Sequence, residues 1–143
     1  MSGGPNRVLI DTGPLVAIIN ASDFYHSACT AALAQLRTPL YSCWPVLTEA
    51  AWLLRSSPIS IRQLLGNLES EFLEILPLSG SEAKQVAAIM RRYAAMRPQL
   101  ADAALVYLAE REGINTIFTL DRRDFSVYRF GRNRKFRVIP EIE

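Results

Sequence analysis

The stretch Val8-Leu9-Ile10-Asp11-Thr12-Gly13-Pro14 decides the fold that the sequence predicts. Its aliphatic residues are typical of a buried β-strand, and the Asp, Gly and Pro that follow are typical of a turn at the end of a strand. Pro14 also suits the first turn of a helix, and the apolar segment that runs on to Asn20 predicts a short buried helix. The sequence therefore predicts a strand that delivers Asp11 to its carboxyl end, with a helix directly after it.

The rest of the chain continues this alternation of strands and helices. Further strands are predicted at Leu40 to Cys43, Phe72 to Leu76, Thr116 to Leu120 and Phe136 to Ile139. Helices are predicted from Asp23 to Arg37, from Trp44 past Leu53, from Ser60 to Ser70, from about Glu82 to Met96 and from Leu100 to Glu112. The segment between Asp121 and Phe136 is interpreted as a loop. Strands separated by helices favour right-handed crossovers, so we expect a three-layer α/β/α fold with a mainly parallel central sheet of four to five strands.

Length and composition are typical of one globular domain. The chain has 143 residues, of which 50% are hydrophobic and 21% charged, and we expect residues 1–143 to form a single domain with a flexible N-terminus at 1–6. No apolar run approaches the roughly 20 residues that a membrane span requires. The N-terminus also lacks the charged and apolar regions of a signal peptide. We therefore expect a cytoplasmic protein that does not act at a membrane.

The number and spacing of the cysteine and histidine residues exclude several kinds of site. Cys29 and Cys43 are too far apart for a CxxC metal or redox motif, and two cysteines do not make a disulfide framework. The single histidine, His26, leaves no pair for an ordinary zinc site. Any catalysis must therefore depend on carboxylates or on the backbone.

Four acidic residues form the candidate site. Asp11 and Asp121 directly follow predicted strands, at the sheet edge where ligands gather in folds of this class. Either aspartate alone has an ordinary explanation as a turn or cap residue. Glu49 and Asp102, however, lie on helices among apolar and small neighbours, so their carboxylates are expected to face the protein more than water.

The mutual repulsion of these acids points to a cation. Two like charges about 4 Å apart cost on the order of 4 kcal/mol at an effective dielectric constant near 20. Protonation or a bound cation relieves that cost. Because the expected ligands are all oxygens, the cation should be Mg²⁺ or Mn²⁺, and such an ion suits phosphoryl chemistry.

Four ordered motifs carry a resemblance to a known family. They are Val8 to Gly13, Thr48-Glu49-Ala50, Leu100-Ala101-Asp102-Ala103-Ala104 and Thr119-Leu120-Asp121-Arg122-Arg123-Asp124-Phe125. In this order they resemble the acidic motifs of PIN-domain ribonucleases, and the chain is similar overall to a VapC-type toxin of a bacterial toxin–antitoxin pair. The similarity runs from about Arg7 to Pro140. It is specific because four weak motifs occur in the right order.

The resemblance implies a PIN-like fold and a metal-dependent endoribonuclease that hydrolyses RNA phosphodiester bonds. The implied catalytic residues are Asp11, Glu49, Asp102 and Asp121, and we expect Asp11, Asp102 and Asp121 to bind Mg²⁺ or Mn²⁺. Thr119 is implied to support the acids by hydrogen bonding. The resemblance further implies a homodimer, inhibited by a cognate VapB-like antitoxin, that acts as a type II toxin on translation.

Two residues beside the acids, Thr12 and Asp124, each have two possible roles. Thr12 is a candidate to support the site or contact substrate, although a turn role competes with that function. Asp124 is a candidate peripheral metal or water ligand, although a structural turn acid is the stronger interpretation.

A basic segment follows the last motif. Seven of the sixteen residues from Arg122 to Arg137 are basic and one is acidic. We expect Arg122, Arg123, Arg129, Arg132 and Arg134 to bind RNA phosphates. The aromatic residues among them, Phe125, Tyr128 and Phe130, have two interpretations: they stack on bases, or they anchor a solvated loop to the core.

Other basic and aromatic residues are interpreted more simply. Arg91, Arg92 and Arg97 would extend the basic surface, but helical arginines are more often solvated. Trp44 and Trp52 are expected in the core or in a subunit interface.

Competing functions fit the sequence less well. The chain has neither a GxGxxG loop nor a Walker lysine, which argues against a nucleotide-binding module. A non-catalytic RNA-binding PIN-like scaffold would use the basic segment equally well, but it would not need all four acids. An RNA-processing nuclease outside a toxin–antitoxin system is the other alternative.

Overall fold

The computed structural model describes residues 7–141, so the flexible N-terminus expected at 1–6 lies outside the described residues. The strands in chain order are β1 (Val8–Ile10), β2 (Leu40–Ser42), β3 (Leu73–Ile75), β4 (Thr116–Phe118), β5 (Arg129–Phe130), β6 (Arg134–Lys135) and β7 (Arg137–Ile139). The helices are α1 (Thr12–Ile19), α2 (His26–Leu33), α3 (Trp44–Leu53), α4 (Pro58–Glu69), α5 (Ala83–Arg92), α6 (Leu100–Glu112) and α7 (Arg122–Val127).

A five-stranded parallel sheet lies at the centre of the fold, in the order β3-β2-β1-β4-β7. All residues of β1 and β4 are buried, as expected for central strands of a parallel sheet that is covered by helices. The sheet and its flanking helices confirm the α/β class and the mainly parallel sheet of four to five strands expected from the sequence. Because β1 and β4 are neighbours, Asp11 and the segment after Phe118 share one edge of the sheet.

The helix ends follow local signals in most places. Helix α6 spans the predicted residues and stops at Gly113, which has the left-handed conformation (φ 68°) that glycine accepts without strain. Ser79 and Glu82 form the predicted capping box, although the residues after Ser79 first make a 3₁₀ turn at Gly80–Glu82. Helix α5 then ends at Arg92 instead of Met96, and a second 3₁₀ turn covers Ala94–Met96.

Helix α2 is shorter than the sequence indicated. The prediction ran from Asp23 to Arg37, whereas the helix extends from His26 to Leu33. The Asp23 side chain accepts a hydrogen bond of 2.8 Å from the backbone N–H of Tyr25, so Asp23 closes a turn before the helix begins.

The segment interpreted as a loop contains regular structure, which corrects the sequence prediction. Asp121 caps α7, and an antiparallel hairpin of β5 and β6 follows. Each of these elements is too short to show a hydrophobic period, and buried Phe125 and Phe130 hold them against the core. Within residues 7–141, no helix is both long and apolar enough to cross a membrane.

Candidate active site

Asp11 lies at the carboxyl end of β1, where its backbone extends the pairing with β4. Its N–H donates a 2.9 Å hydrogen bond to the carbonyl of Phe118. The side chain has a partner for each oxygen: the N–H of Thr12 donates to Oδ1 and the hydroxyl of Thr119 donates to Oδ2, both at 2.8 Å. Asp11 is therefore held in one orientation by residues from two neighbouring strand ends.

Burial sets the acidity of Asp11. The residue is 7% exposed, and this desolvation raises the pKa of its carboxyl from 3.8 to about 6. The hydrogen bonds from Thr12 and Thr119 oppose the rise, while the charges of Asp102 and Glu49 add to it. A nearby cation would stabilise the ionised form that the fold itself disfavours.

Glu49 approaches the same place from α3. The Thr12 hydroxyl donates a 2.9 Å hydrogen bond to its Oε1. Val46 and Ala50 beside it on the helix are fully buried, in agreement with an acid on an otherwise apolar face. Thr12 thus contacts both acids, Asp11 through its N–H and Glu49 through its hydroxyl.

Asp102 is fixed at the start of α6. Its Oδ2 accepts a 3.1 Å hydrogen bond from the backbone N–H of Gln99, which precedes the helix. Burial raises the pKa of Asp102 to about 6 despite that hydrogen bond, and the charges of Asp121 and Glu49 raise it further. Gln99 and Asp102 have the spacing of a capping box, but Gln replaces the usual Ser or Thr at the first position, so the sequence carries no clear signal for Gln99.

Asp121 and Asp124 are the remaining acidic residues of the site. The Asp121 N–H donates to the Thr119 hydroxyl at 3.0 Å, and its Oδ1 accepts from the N–H of Asp124 at 3.3 Å. Burial raises the pKa of Asp121, and the neighbouring Asp124 charge contributes to the rise. Thr119 therefore links Asp11 to Asp121 through one hydroxyl group.

These side chains border one cleft of about 490 Å³, which we call the acidic cleft. Its lining residues are Asp11, Thr12, Gly13, Glu49, Leu53, Arg97, Gln99, Asp102, Thr119, Leu120, Asp121 and Asp124. The structure thus brings together the four predicted catalytic acids and the three predicted supporting residues. Sequence reasoning gave little weight to Arg97 and did not single out Gln99.

The donor set of the acidic cleft suits a hard cation, because it consists of carboxylate and hydroxyl oxygens without histidine or thiolate. Burial raises the pKa of Asp11 and Asp102, and the charges of neighbouring acids add to the rise, so a cation in the cleft would favour their ionised forms. Within residues 7–141, however, no three acidic, histidine or cysteine side chains lie close enough to enclose a metal ion. The acids surround a shared space and do not form a closed cage.

The basic segment lies outside the acidic cleft. Arg122 donates to the carbonyl of Pro140, and Arg129 donates to the carbonyls of Ser126 and Val127. Arg134 lies over the ring of Phe130, with 5.0 Å between its guanidinium carbon and the ring centroid. Arg123 and Arg132 are exposed. None of the five predicted RNA-binding arginines lines the cleft.

The aromatic residues of the basic segment are core residues. Phe125, Tyr128 and Phe130 are at most 1% exposed, and Phe125 and Tyr128 pack edge to face with 5.0 Å between ring centroids. The anchoring interpretation is therefore confirmed and base stacking by these rings is wrong. Trp44 and Trp52, in contrast, are 55% and 62% exposed, so the core alternative is wrong for them and the subunit-interface alternative stays a prediction.

Comparison with known proteins agrees with this geometry. Residues 8–131 match the family model described as PIN domain. The chain is 33% identical over 135 residues to Ribonuclease VapC26 of Mycobacterium tuberculosis, a match that covers 93% of this chain and all of that protein.

Solved structures share the fold at low sequence identity. VapC20 of Mycobacterium tuberculosis, described as a sarcin-ricin loop cleaving toxin, superposes with a TM-score of 0.74 at 17% identity, over 80% of this chain and 90% of that one. VapBC2 of Rickettsia felis, bound to a DNA fragment from its promoter, gives a TM-score of 0.61 at 16% identity, over 93% of this chain and 98% of that one. The chain belongs to the PIN-domain family and is a VapC-type member of it.

Proposed function

We propose that this protein is an endoribonuclease that hydrolyses RNA phosphodiester bonds, and that it is the toxin of a type II toxin–antitoxin pair that inhibits translation. One observation carries the proposal: the acids of all four family motifs border a single cleft at the carboxyl edge of the sheet. The substrate class follows from the name of the related Ribonuclease VapC26. We propose that one PIN-like domain, spanning the chain, performs the reaction.

The proposed cofactor is Mg²⁺ or Mn²⁺, bound by Asp11, Asp102 and Asp121 with Glu49 nearby. When bound, such an ion lowers the pKa of water and stabilises charge on phosphate oxygens. The residues of the chain prepare the site: Thr119 orients Asp11, and Thr12 holds Glu49. Asp124 donates its N–H to Asp121 and so fixes the position of that carboxylate.

Metal dependence and the acids can be tested together. The purified protein should cleave single-stranded RNA with Mg²⁺ or Mn²⁺ and lose the activity in EDTA, and Asp11→Asn and Asp121→Asn should be inactive with either ion. Each variant should unfold as cooperatively as the wild type. Cleavage that persists in EDTA or in both variants would refute the mechanism, and RNA binding without cleavage by the wild type would favour the non-catalytic scaffold.

The proposed protein partners are a VapB-like antitoxin and a second copy of this chain. The solved VapBC2 complex supports an antitoxin partner. Exposed apolar residues near the cleft, Trp44, Trp52 and Leu100, support a homodimer because large apolar patches usually mark interfaces. Light scattering gives the mass in solution, and a Trp52→Glu variant should be monomeric if this face is the interface.

Toxicity distinguishes a toxin from an RNA-processing nuclease. Induced expression should arrest bacterial growth, co-expression of the proposed VapB-like antitoxin should restore it, and Asp11→Asn should be harmless. A cleaving enzyme that leaves growth unchanged would favour the processing alternative. The RNA and antitoxin partners that we propose are cytoplasmic molecules, so we place the action of the protein in the cytoplasm.

A further inference from the structure

Arg97 has a charge opposite to that of its surroundings. Among the described residues that line the acidic cleft it is the single Lys or Arg, and Asp11, Glu49, Asp102, Asp121 and Asp124 line the same cleft. Nevertheless, within the described part of the chain its guanidinium makes neither an ion pair nor a hydrogen bond. The side chain is exposed and free to contact a ligand in the cleft.

Three arginines of the basic segment already have partners within the fold. Arg122 and Arg129 donate to backbone carbonyls, and Arg134 lies against the ring of Phe130. Their positions are therefore explained by contacts within the fold. Arg97 differs because its side chain has no such partner among residues 7–141.

The backbone at Arg97 also departs from what its sequence favours. It adopts the left-handed region (φ 51°, ψ 55°), which side chains with a Cβ rarely occupy. A residue before proline is normally extended, and Pro98 follows directly. Residues held in such conformations cluster at functional sites. Two positions later, the backbone N–H of Gln99 donates to Asp102 Oδ2, so one short segment places both the arginine and an acid of the cleft.

A phosphate group of RNA is repelled by the carboxylates of the acidic cleft unless positive charge lies beside it. Its backbone carries one negative charge per phosphate, and a phosphate that enters the cleft meets acidic side chains on several sides. A guanidinium group binds phosphate oxygens through paired N–H donors, and such charge-assisted bonds are about twice as strong as neutral ones. We propose that Arg97 contacts a backbone phosphate of the RNA substrate in the acidic cleft. This inference rests on the proposed nuclease function.

The test uses Arg97→Gly, because glycine accepts the left-handed backbone and removes the charge without adding strain. Arg97→Lys keeps the charge but loses the paired donors, and Arg62→Gln on α4 removes an exposed arginine elsewhere. RNA binding is measured in an Asp11→Asn background by fluorescence anisotropy of labelled single-stranded RNA over a series of salt concentrations. Cleavage by the otherwise unchanged enzyme gives kcat/KM, and thermal unfolding reports folding.

We expect Arg97→Gly to fold with an equal or higher Tm, to lower RNA affinity and kcat/KM about tenfold or more, and to reduce the slope of log affinity against log salt by about one. Arg97→Lys should keep most of the slope and recover part of kcat/KM. Arg62→Gln should match the wild type in both assays.

Two outcomes would overturn the inference while leaving the nuclease intact. One is an unchanged salt slope and kcat/KM in Arg97→Gly. The other is an unchanged slope with tighter Mn²⁺ binding by calorimetry, which would make Arg97 a neutraliser of the carboxylates instead of a phosphate contact. If wild-type protein cleaves no RNA with either metal, the proposed function itself fails and this inference fails with it.

Discussion

The hydroxyl of Thr119 donates a 2.8 Å hydrogen bond to Asp11 Oδ2, joining two residues that lie 108 positions apart in the chain. The same hydroxyl oxygen accepts the N–H of Asp121 at 3.0 Å. Thr119 is fully buried, so water cannot replace it in either bond. One side chain therefore sets the relative positions of the two acids that follow β1 and β4.

Thr119→Val should separate these acids without changing the volume of the core. Loss of a hydrogen bond to a buried group costs about 1–3 kcal/mol, and the Asp121 N–H loses its acceptor as well. We expect a lower free energy of unfolding in urea and a fall in kcat of at least about tenfold. Thr119→Ser keeps the hydroxyl and should recover most of the activity. Equal activity in the valine variant would show that the Thr119 hydroxyl does not position the acids.

The pKa of Asp11 predicts how the metal-free protein responds to pH. Because the folded pKa is about 6 and the unfolded value 3.8, the folded state binds the proton more tightly. The stability that protonated Asp11 gives the folded state is fully present below pH 3.8 and is lost as the pH rises through about 6. Ionisation of Asp11 therefore lowers the free energy of unfolding by about 3 kcal/mol near neutral pH.

Asp11→Asn removes this titration, and its single amide oxygen can keep only one of the two hydrogen bonds that Thr12 and Thr119 donate to the carboxylate, so the comparison is made on the pH dependence and not on the absolute stability. Urea unfolding in EDTA should show the wild type losing stability between about pH 4 and pH 7, and the variant should lose clearly less over the same interval. Asp102 titrates in the same direction, so the variant should retain part of the slope. Identical pH profiles for both proteins would contradict the raised pKa of Asp11.

Glu82 should have the opposite pH dependence at a distance from the cleft. Its carboxylate accepts the Ser79 N–H, the Tyr107 hydroxyl and the Arg111 guanidinium, and these contacts lower its pKa from 4.5 to about 2. Its stabilising effect is present above pH 4.5 and is lost as pH falls through about 2.

Glu82→Gln should therefore lower the Tm at neutral pH, with a smaller difference from the wild type as pH falls below 4.5. Its kcat/KM on RNA should stay unchanged, because Glu82 does not line the acidic cleft. Glu69→Gln, at an exposed position on α4, is the matched control and should change neither property. A Tm difference that is constant across this pH range would contradict the lowered pKa.

Gly13→Ala should disturb the cleft through packing. A Cβ at position 13 would lie 3.2 Å from Leu120 Cδ1 and 3.3 Å from Leu120 Cβ, closer than ordinary contact. Leu120 must then shift by a few tenths of an ångström, and it directly precedes Asp121. We expect reduced cleavage with a small loss in Tm.

Gly66→Ala is the control for this substitution, because nothing lies within 4 Å of its added Cβ in helix α4. It should raise stability by up to about 1 kcal/mol and leave cleavage unchanged. If both alanine variants cleave RNA like the wild type, close packing of Gly13 on Leu120 does not help to place Asp121.

The sequence predicts the parts of this fold that depend on local signals. The aliphatic residues before Asp11, the Ser79–Glu82 cap and the Gly113 stop are each sufficient to place an element, because their effects act within one turn or strand. Local signals also predict that Asp11 and Asp121 follow the ends of two strands. Neighbouring strands bring these acids together once the sheet is parallel.

Other features depend on contacts between distant segments and have no local signal. The α7 helix and the β5–β6 hairpin are held by buried aromatic side chains. Arg122 is directed to the carbonyl of Pro140, which the sequence does not reveal as its neighbour. The cleft position of Arg97 depends on a left-handed residue that propensities do not predict.

The position of β1 between β2 and β4 has a consequence for synthesis of the protein. The ribosome adds Asp11 more than a hundred residues before it adds Thr119 and Asp121. Until β4 inserts beside β1, Asp11 lacks its Thr119 partner, and the residues after β4 that line the acidic cleft are not in place. A nascent chain that has not yet added β4 therefore carries no assembled acidic cleft, and the RNA of the translating ribosome is not exposed to one before that point.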